Sequence, residues 1–336
     1  MKAESMVPEN PSFKNTDDMS ELCAAIQAAR GILLTTHCSP DGDGIGSQLA
    51  LYHALQATGK AVFMHNRDGV PRIYRFLEGS DLVGAGTEFN AGNVDLIISL
   101  DAGSKSRLGF ADAFFAGRKL AVIDHHASND CFGDINLIDV SACATGAIVY
   151  DLIGRLSLPV SAASASALYV TLLTDTSSFR NENTTAEVHE MAVALIRAGA
   201  EPWPIAREVY ESRSQAGFNL QALCMQTLEL SDEGRSAWLH IDEQMYGDTG
   251  SDGEDSEGLI DLARGLAGVE IAVFMRPGDD VSSWKVTFRG KYTADVGALA
   301  VSLGGGGHRY ASGCTIVGDF DAIRSNVEQA VSKLLG

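Results

Sequence analysis

The chain has 336 residues, 45% of them hydrophobic and 21% charged, with a formal net charge of −19. That composition is globular, with room for two domains of ordinary size, and the charge argues against long duplex nucleic acid, whose partners carry a basic face. No run reaches the ~18 apolar residues of a membrane span, and the first 20 residues lack the apolar core of a signal peptide, so a cytoplasmic protein is expected.

Residues 1–18 are polar, with Pro8, Pro11, Asp17 and Asp18, and read as a disordered tail. A helix near 19–30 precedes the strand Gly31–Thr36, which runs into His37, Asp41 and Asp43. A helix follows from Gly44 to Thr58, then a strand Lys60–His65 and a short helix Pro71–Leu77. The strand Val94–Leu100 runs into Asp101, and Leu120–Ile123 runs into Asp124-His125-His126. A further strand Ile135–Ile138 and helices near 145–156 and 161–173 come next; the apolar run Leu168–Thr174 leads into Asp175. This alternation predicts a mostly parallel sheet with helices on both faces.

From about 184 to 231 the pattern is helical, with Ala192, Leu195 and Ile196 as one stripe and Leu220, Leu223 and Leu228 as another. A second, smaller α/β domain begins near Gly234 with the strand Ala237–Ile241. A helix at 256–267, strands at 269–275 and 283–289, a Gly-rich stretch at 304–307 and a terminal helix complete it. The expected boundaries are 19–205 for the first domain, 206–232 for a helical linker and 233–336 for a substrate-binding domain.

Two histidines directly after an aspartate weaken a strand's packing, so Asp124-His125-His126 calls for another explanation. Ligands of open α/β sheets bind at the carboxyl ends of parallel strands. Four elements ending in Asp or His therefore deliver their side chains to one sheet edge. At His37-x3-Asp41-x-Asp43, Gly42, Gly44 and Gly46 allow a tight turn that sends the two carboxylates to different cations; an ordinary Asp-Gly turn with an N-cap is the plainer alternative. Asp101 can bridge two cations or cap the next turn. Carboxylates mixed with imidazole suit Mn, Fe or Zn, and two such ions acidify a water for attack on a phosphoester.

Among six scattered cysteines without a C-x-x-C pair, no disulfide framework or structural zinc site is expected. Cys38 borders His37, but the oxygen-rich surroundings suit a harder cation than a thiolate prefers. Gly304–Gly307 with His308 and Arg309 form either a backbone cradle for a phosphate or a flexible loop before a helix. Arg289, at the end of a strand, can fork onto a phosphate or simply be solvated. His53, His189 and His240 read as ordinary surface or boundary residues, and His65 has no acidic partner nearby in sequence.

These motifs resemble the DHH phosphoesterase superfamily, and within it the stand-alone NrnA-type proteins, described as oligoribonucleases that also dephosphorylate 3′-phosphoadenosine 5′-phosphate. The likeness covers nearly everything after the tail. It rests on His37, Asp41 and Asp43; Asp101 with Arg107-Leu108-Gly109; Asp124-His125-His126 with Ser128-Asn129 and Phe132-Gly133-Asp134; and Thr174-Asp175-Thr176 with Phe179-Arg180. A DHH-associated domain matches at Gly305, Gly306, Gly307 and His308.

The resemblance implies that His37, Asp41, Asp101 and Asp175 hold one cation, and Asp43, Asp101 and His125 the other. Asp101, Asp124 and His126 are then the catalytic set, with His126 facing the scissile phosphate and Asp124 supporting the cluster. Arg289, Gly305, Gly306, Gly307, His308 and Arg309 grip the substrate. The implied cofactors are two divalent ions, Mn2+ first, with Mg2+ or Co2+ as alternatives. The implied substrates are short single-stranded RNA, dinucleotides and nucleoside bisphosphates, bound in a cleft between the domains, with neither long duplex nor membrane involved. A homodimer is expected only because dimers are common.

Two departures stand out: Ser177 where a Gly is common, and Ala147 where an acid is expected. An inorganic pyrophosphatase or exopolyphosphatase of the same superfamily is the second reading, and a non-catalytic nucleotide sensor the third.

Overall fold

The computed structural model describes residues 16–90, 92–278, 280 and 282–336, and it divides into two units, Met1–Ser212 and Arg213–Gly336. Most of the expected tail lies outside the described residues. The first helix, α1 (Thr16–Ala28), begins inside the tail's last residues, so 16–18 are helical.

In the first unit the elements after α1 are β1 (Gly31–Thr36), α2 (Gly42–Gln56), β2 (Ala61–Asn66), β3 (Val83–Ala85) and β4 (Leu96–Leu100). They continue with α3 (Asp112–Phe115), β5 (Lys119–Asp124), β6 (Ile135–Ile138), α4 (Thr145–Arg155), α5 (Ala162–Asp175), α6 (Ala186–Ala198) and α7 (Pro202–Tyr210). The segment expected as a helix from Pro71 is a single 3-10 turn, Arg72–Tyr74.

The six strands form a parallel sheet in the order β3-β2-β1-β4-β5-β6. Strands buried on both sides explain the unbroken apolar runs. Side chains alternate between the two faces. Ile32, Leu34, Leu96, Ile98, Ala121 and Ile123 face the larger core, which takes in α1, α2, α4, α5, α6 and part of α7. Leu33, Ile97 and Leu120 face the other side, where α3 supplies Phe114 and Phe115. Helices therefore cover both faces, but very unequally.

The glycines early in α2 sit inside the helix rather than in a turn. A Cβ on Gly42 would lie 2.4 Å from Thr174 Cγ2, one on Gly44 2.3 Å from Thr36 Oγ1, and one on Gly46 2.5 Å from the Ala167 carbonyl oxygen. Their purpose is close packing: they let the first turn of α2 press against the end of β1 and against α5.

The second unit contains α8 (Gln215–Gln226), β7 (Glu229–Ser231), β8 (Ser236–His240), α9 (Glu243–Thr249) and α10 (Ile260–Arg264). They are followed by β9 (Ile271–Pro277), β10 (Ser283–Gly290), α11 (Val296–Ser302), β11 (Gly306–His308), β12 (Ala311–Val317) and α12 (Phe320–Leu335). Its strands form a mixed sheet in the order β11-β12-β10-β9-β8-β7, with β8 and β9 as the parallel pair. Val273, Val286 and Phe288 pack with α11 and α12 on one face, and Ala272 and Phe274 with α8 and α10 on the other.

Candidate active site

Three parallel strands and one helix converge. β1 leads into His37, β4 into Asp101, and β5 ends on Asp124 and continues into His125 and His126. Asp175 comes from the last turn of α5, a helix rather than a strand. Because β4 lies beside β1, crossovers leave these neighbours in opposite directions and open a crevice at their carboxyl ends.

His37 Nε2 stands 3.5 Å from Asp101 Oδ2 and 3.8 Å from Asp41 Oδ1. His125 Nε2 stands 3.2 Å from Asp175 Oδ2, 3.6 Å from Asp43 Oδ2 and 3.7 Å from Asp101 Oδ1. The candidate ligand atoms of His37, Asp41 and Asp101 lie within 4.8 Å of one another, as do those of Asp43, Asp101 and His125. Asp101 belongs to both sets. Asp175 lies beside His125, so geometry groups it with the second set, not with His37 as the family resemblance implied.

Both rings are held from behind. His37 Nδ1 is 2.9 Å from the Cys38 carbonyl, and His125 Nδ1 is 3.2 Å from that of Ala142. A proton on each Nδ1 donated to these carbonyls leaves Nε2 as the ligand atom, the usual arrangement of metal-binding histidine. Cys38 thus contributes its carbonyl to the site.

The electrostatics fit a seat for cations. Burial raises the Asp43 carboxyl well above the usual range, and the charges of Asp101 and Asp175 raise it further. Burial likewise raises Asp175, to about 6, although His125 opposes the shift. Burial alone would lower His37 and His125, but the carboxylates beside them raise both well above an ordinary imidazole. Four aspartates crowded around two imidazoles must take up protons or divalent cations, and this mixed oxygen and nitrogen set fits a borderline transition metal.

Asp41 and Asp101 resolve the alternatives read from sequence. Asp41 does cap α2, accepting from the N–H groups of Asp43 and Gly44, while the same oxygen faces His37; cap and site coincide. Asp101 caps nothing: the next turn, Lys105–Leu108, starts after Ser104. Instead Asp101 takes a left-handed φ of 58°, uncommon for a residue with a side chain, and its carboxylate accepts from Thr145 Oγ1 at 3.1 Å.

Two supporting contacts were not read from the sequence, although Asn129 itself stood in the motif. Asp43 accepts from the backbone N–H groups of Thr145 at 2.6 Å and Gly146 at 2.9 Å. These are orphan donors at the start of α4, whose cap residue Ala144 has no side-chain oxygen to offer. An alanine in that position is the only local signal that the cap comes from elsewhere. Asn129 makes the second. Its amide donates to Asp124 Oδ2 at 2.6 Å and to the Ala102 carbonyl at 3.1 Å. Asp124 is fully buried, and its other oxygen accepts from the His125 N–H and from His126 Nδ1, at 2.9 and 2.7 Å. Burial alone would raise Asp124, but the bonds from His126 and Asn129 hold it below its ordinary value.

Ser177, the departure from the family's glycine, has φ of 49° and opens a left-handed run with Ser178 and Phe179. That backbone explains why a glycine is favoured there.

In the second unit the glycine run is no prelude to a helix: Gly304 and Gly305 form turn and loop, and Gly306 and Gly307 are strand. It leads through Gly304, at φ 82°, into β11, which pairs with β12 as a hairpin. A Cβ on Gly305 would lie 2.2 Å from the Gly313 carbonyl oxygen, and one on Gly307 2.6 Å from Ser312 Cα, so close strand packing demands these glycines. His308 ends β11 and Arg309 follows, its guanidinium 5.2 Å from the Tyr310 ring centre. Arg289 lies on β10, opposite Ala311 of β12, with Nε 3.9 Å from Asp261 Oδ1.

Residues 31–177 match the DHH family, N-terminal domain, and residues 241–333 match the DHHA1 domain. A Thermus thermophilus protein, the bifunctional oligoribonuclease and PAP phosphatase NrnA, is 32% identical over 328 residues, 97% of each chain. The chain belongs to the DHH phosphoesterase family. The Bacillus subtilis protein of the same name is 28% identical, covering 88% of this chain and 93% of that one. A solved structure, an exopolyphosphatase-related protein from Bacteroides fragilis, superposes with a TM-score of 0.83 at 25% identity, over 94% of this chain and 96% of that one. DHH phosphoesterases are metal-dependent hydrolases, which agrees with the buried acidic and imidazole cluster. Among the described residues no helix is long and apolar enough to cross a membrane.

Proposed function

We propose that this DHH phosphoesterase hydrolyses very short RNA and linear dinucleotides to mononucleotides, and converts 3′-phosphoadenosine 5′-phosphate to AMP. The observation that carries this reading is the near-full-length likeness to a bifunctional oligoribonuclease and PAP phosphatase. The gathering of His37, Asp41, Asp43, Asp101, His125 and Asp175 in one cluster supports it.

In this reading His37, Asp41 and Asp101 hold one divalent cation, and Asp43, Asp101, His125 and Asp175 a second, with Mn2+ preferred and Mg2+ or Co2+ able to substitute. The cations supply Lewis-acid polarisation of the phosphate and lower the pKa of the attacking water. The chain's own part is orientation. Asp124 fixes the ring of His126 through Nδ1, and His126, more exposed than His125, meets the scissile phosphate. Asn129 positions Asp124. In the second unit, Arg289, Gly305, Gly306, Gly307, His308 and Arg309 are the proposed grip on the substrate's terminal nucleotide or phosphate. The acidic exterior disfavours long polymers, whose binding needs many phosphate contacts.

The test is a time course with 5′-labelled RNAs of two, three, five and 24 nucleotides in Mn2+, beside pyrophosphate and 3′-phosphoadenosine 5′-phosphate. Stepwise release of mononucleotides from the short RNAs, with phosphate release from the bisphosphate, is the expected result. Activity confined to pyrophosphate or polyphosphate would move the chain to the other branch. Cleavage of the 24-mer as fast as the dimer would sink the length preference.

A further inference from the structure

Arg107 leaves β4 through the turn Lys105–Leu108, and its carbonyl accepts the Cys38 N–H at 2.7 Å. Its guanidinium reaches toward the ring of His37, with Nη2 3.4 Å from Nδ1. The same Nδ1 is 2.9 Å from the Cys38 carbonyl. One ring nitrogen cannot serve both. Either it carries a proton and donates to the carbonyl, or it carries a lone pair and accepts from arginine. Only the first state leaves a lone pair on Nε2, the atom that faces Asp41 and Asp101. A His37 that ligates a cation therefore bonds to Cys38 and offers Arg107 no acceptor.

The Arg107 side chain is exposed and makes no ion pair among the described residues. It stands one imidazole away from an acidic cluster, in a chain with 44 acidic residues against 25 basic ones, and yet no carboxylate claims it. Its neighbour Arg67, whose stem packs near Cys38 around Gly109, is answered by Asp68 at 3.3 Å. A guanidinium kept unpaired at the rim of a phosphoesterase site suits a phosphate oxygen, to which it can present two N–H groups at once.

We propose that Arg107 binds a non-bridging phosphate oxygen of the short-RNA substrate at the His37 edge of the site. The proposal rests on the phosphoester reading above and adds a substrate contact within the first unit.

The experiment is calorimetry on the full-length chain in Mn2+, with a 5′-phosphorylated diadenylate whose linkage is an uncleavable methylenephosphonate. Mn2+ affinity is measured separately. Arg107→Ala is expected to weaken the analogue on the order of tenfold or more, and Arg107→Lys by less, because an ammonium keeps the charge but loses the fork. Mn2+ affinity should be unchanged, because a ligating His37 donates its Nδ1 proton to the Cys38 carbonyl and not to Arg107. Unchanged analogue binding overturns the proposal. So does a loss of Mn2+ affinity in step with the analogue, which would make Arg107 a support for His37. If the wild-type protein neither binds the analogue nor cleaves dinucleotides, the reading of function has failed and the Arg107 contact falls with it.

Discussion

Asp43, in the first turn of α2, accepts the Thr145 N–H at 2.6 Å, so one helix supplies the cap of another far along the chain. The neighbouring Gly146 is tightly enclosed: a Cβ there would lie 2.0 Å from Thr171 Oγ1 and 2.6 Å from its Cβ and Cγ2. Gly146→Ala is expected to destabilise by about 1–3 kcal/mol through overpacking and to weaken Mn2+ binding by displacing the N–H groups that hold Asp43. Thermal unfolding and metal titration check both, and the double variant with Thr171→Ala should recover much of the loss. No recovery would mean that the clash is not the cause.

Asp101 belongs to both candidate ligand sets. Asp101→Ala is expected to leave no more than a few per cent of the activity, because neither cation is then fully neutralised. Asp101→Asn, which keeps shape and loses charge, should be almost as inactive. Near-wild-type turnover in either variant would remove Asp101 from the bridging position.

Asn129→Ala is expected to lower kcat by about 10–100-fold, as outer-shell changes at metal sites do, with KM little altered. Asp124 would lose the donor that fixes its second oxygen, and His126 would lose its alignment. Steady-state kinetics on a dinucleotide separates the two constants; a rise in KM with kcat intact would contradict a positioning role.

Without metal, the site favours acid. Asp43 and Asp175 are raised, so they cost stability once pH exceeds the unfolded carboxyl value of about 4. His37 and His125 are also raised, so the stability they add is complete below about 6.5 and is lost as pH rises through their folded values. All four act in one direction. The metal-free protein should therefore lose thermal stability steadily from about pH 5 to 8, and Mn2+ should reverse the trend because binding displaces those protons. Asp124 is lowered, so its contribution changes only at more acid pH. A metal-free Tm that rises with pH over this window would contradict the assignment.

Arg289→Ala is expected to raise KM on dinucleotides on the order of tenfold with kcat nearly unchanged, since only a charge-assisted bond to a phosphate is lost. A fall in kcat at constant KM would take Arg289 out of the grip.

The residues that gather in the cluster were legible in the sequence because each follows an apolar run, and burial of both faces of a parallel sheet leaves such runs unbroken. Asp124-His125-His126 was readable for that reason. Asp175 was readable as a residue, but its grouping was not. Whether it meets His37 or His125 depends on how α5 crosses α2, and that is set by Gly42 and Gly46 against Thr174 and Ala167. The support of Asp43 by Thr145 and Gly146 is wholly long-range, with Ala144 as a faint hint. The hairpin of β11 and β12 was hidden for a different reason. Consecutive glycines read as freedom when only local preference is considered, whereas here they answer to the backbone of the facing strand.

The cluster is also distributed in time. Its members are encoded from His37 to Asp175, and the carboxylate beside His125 arrives only with the last turn of α5. A chain emerging from the ribosome, or one truncated before that helix, holds an incomplete ligand set and lacks the packing that seats the start of α2. Parallel pairing of β1 with β4 also demands long loops to close before it returns any contact. The full cluster therefore exists only once α5 has folded onto the sheet and brought Asp175 to His125.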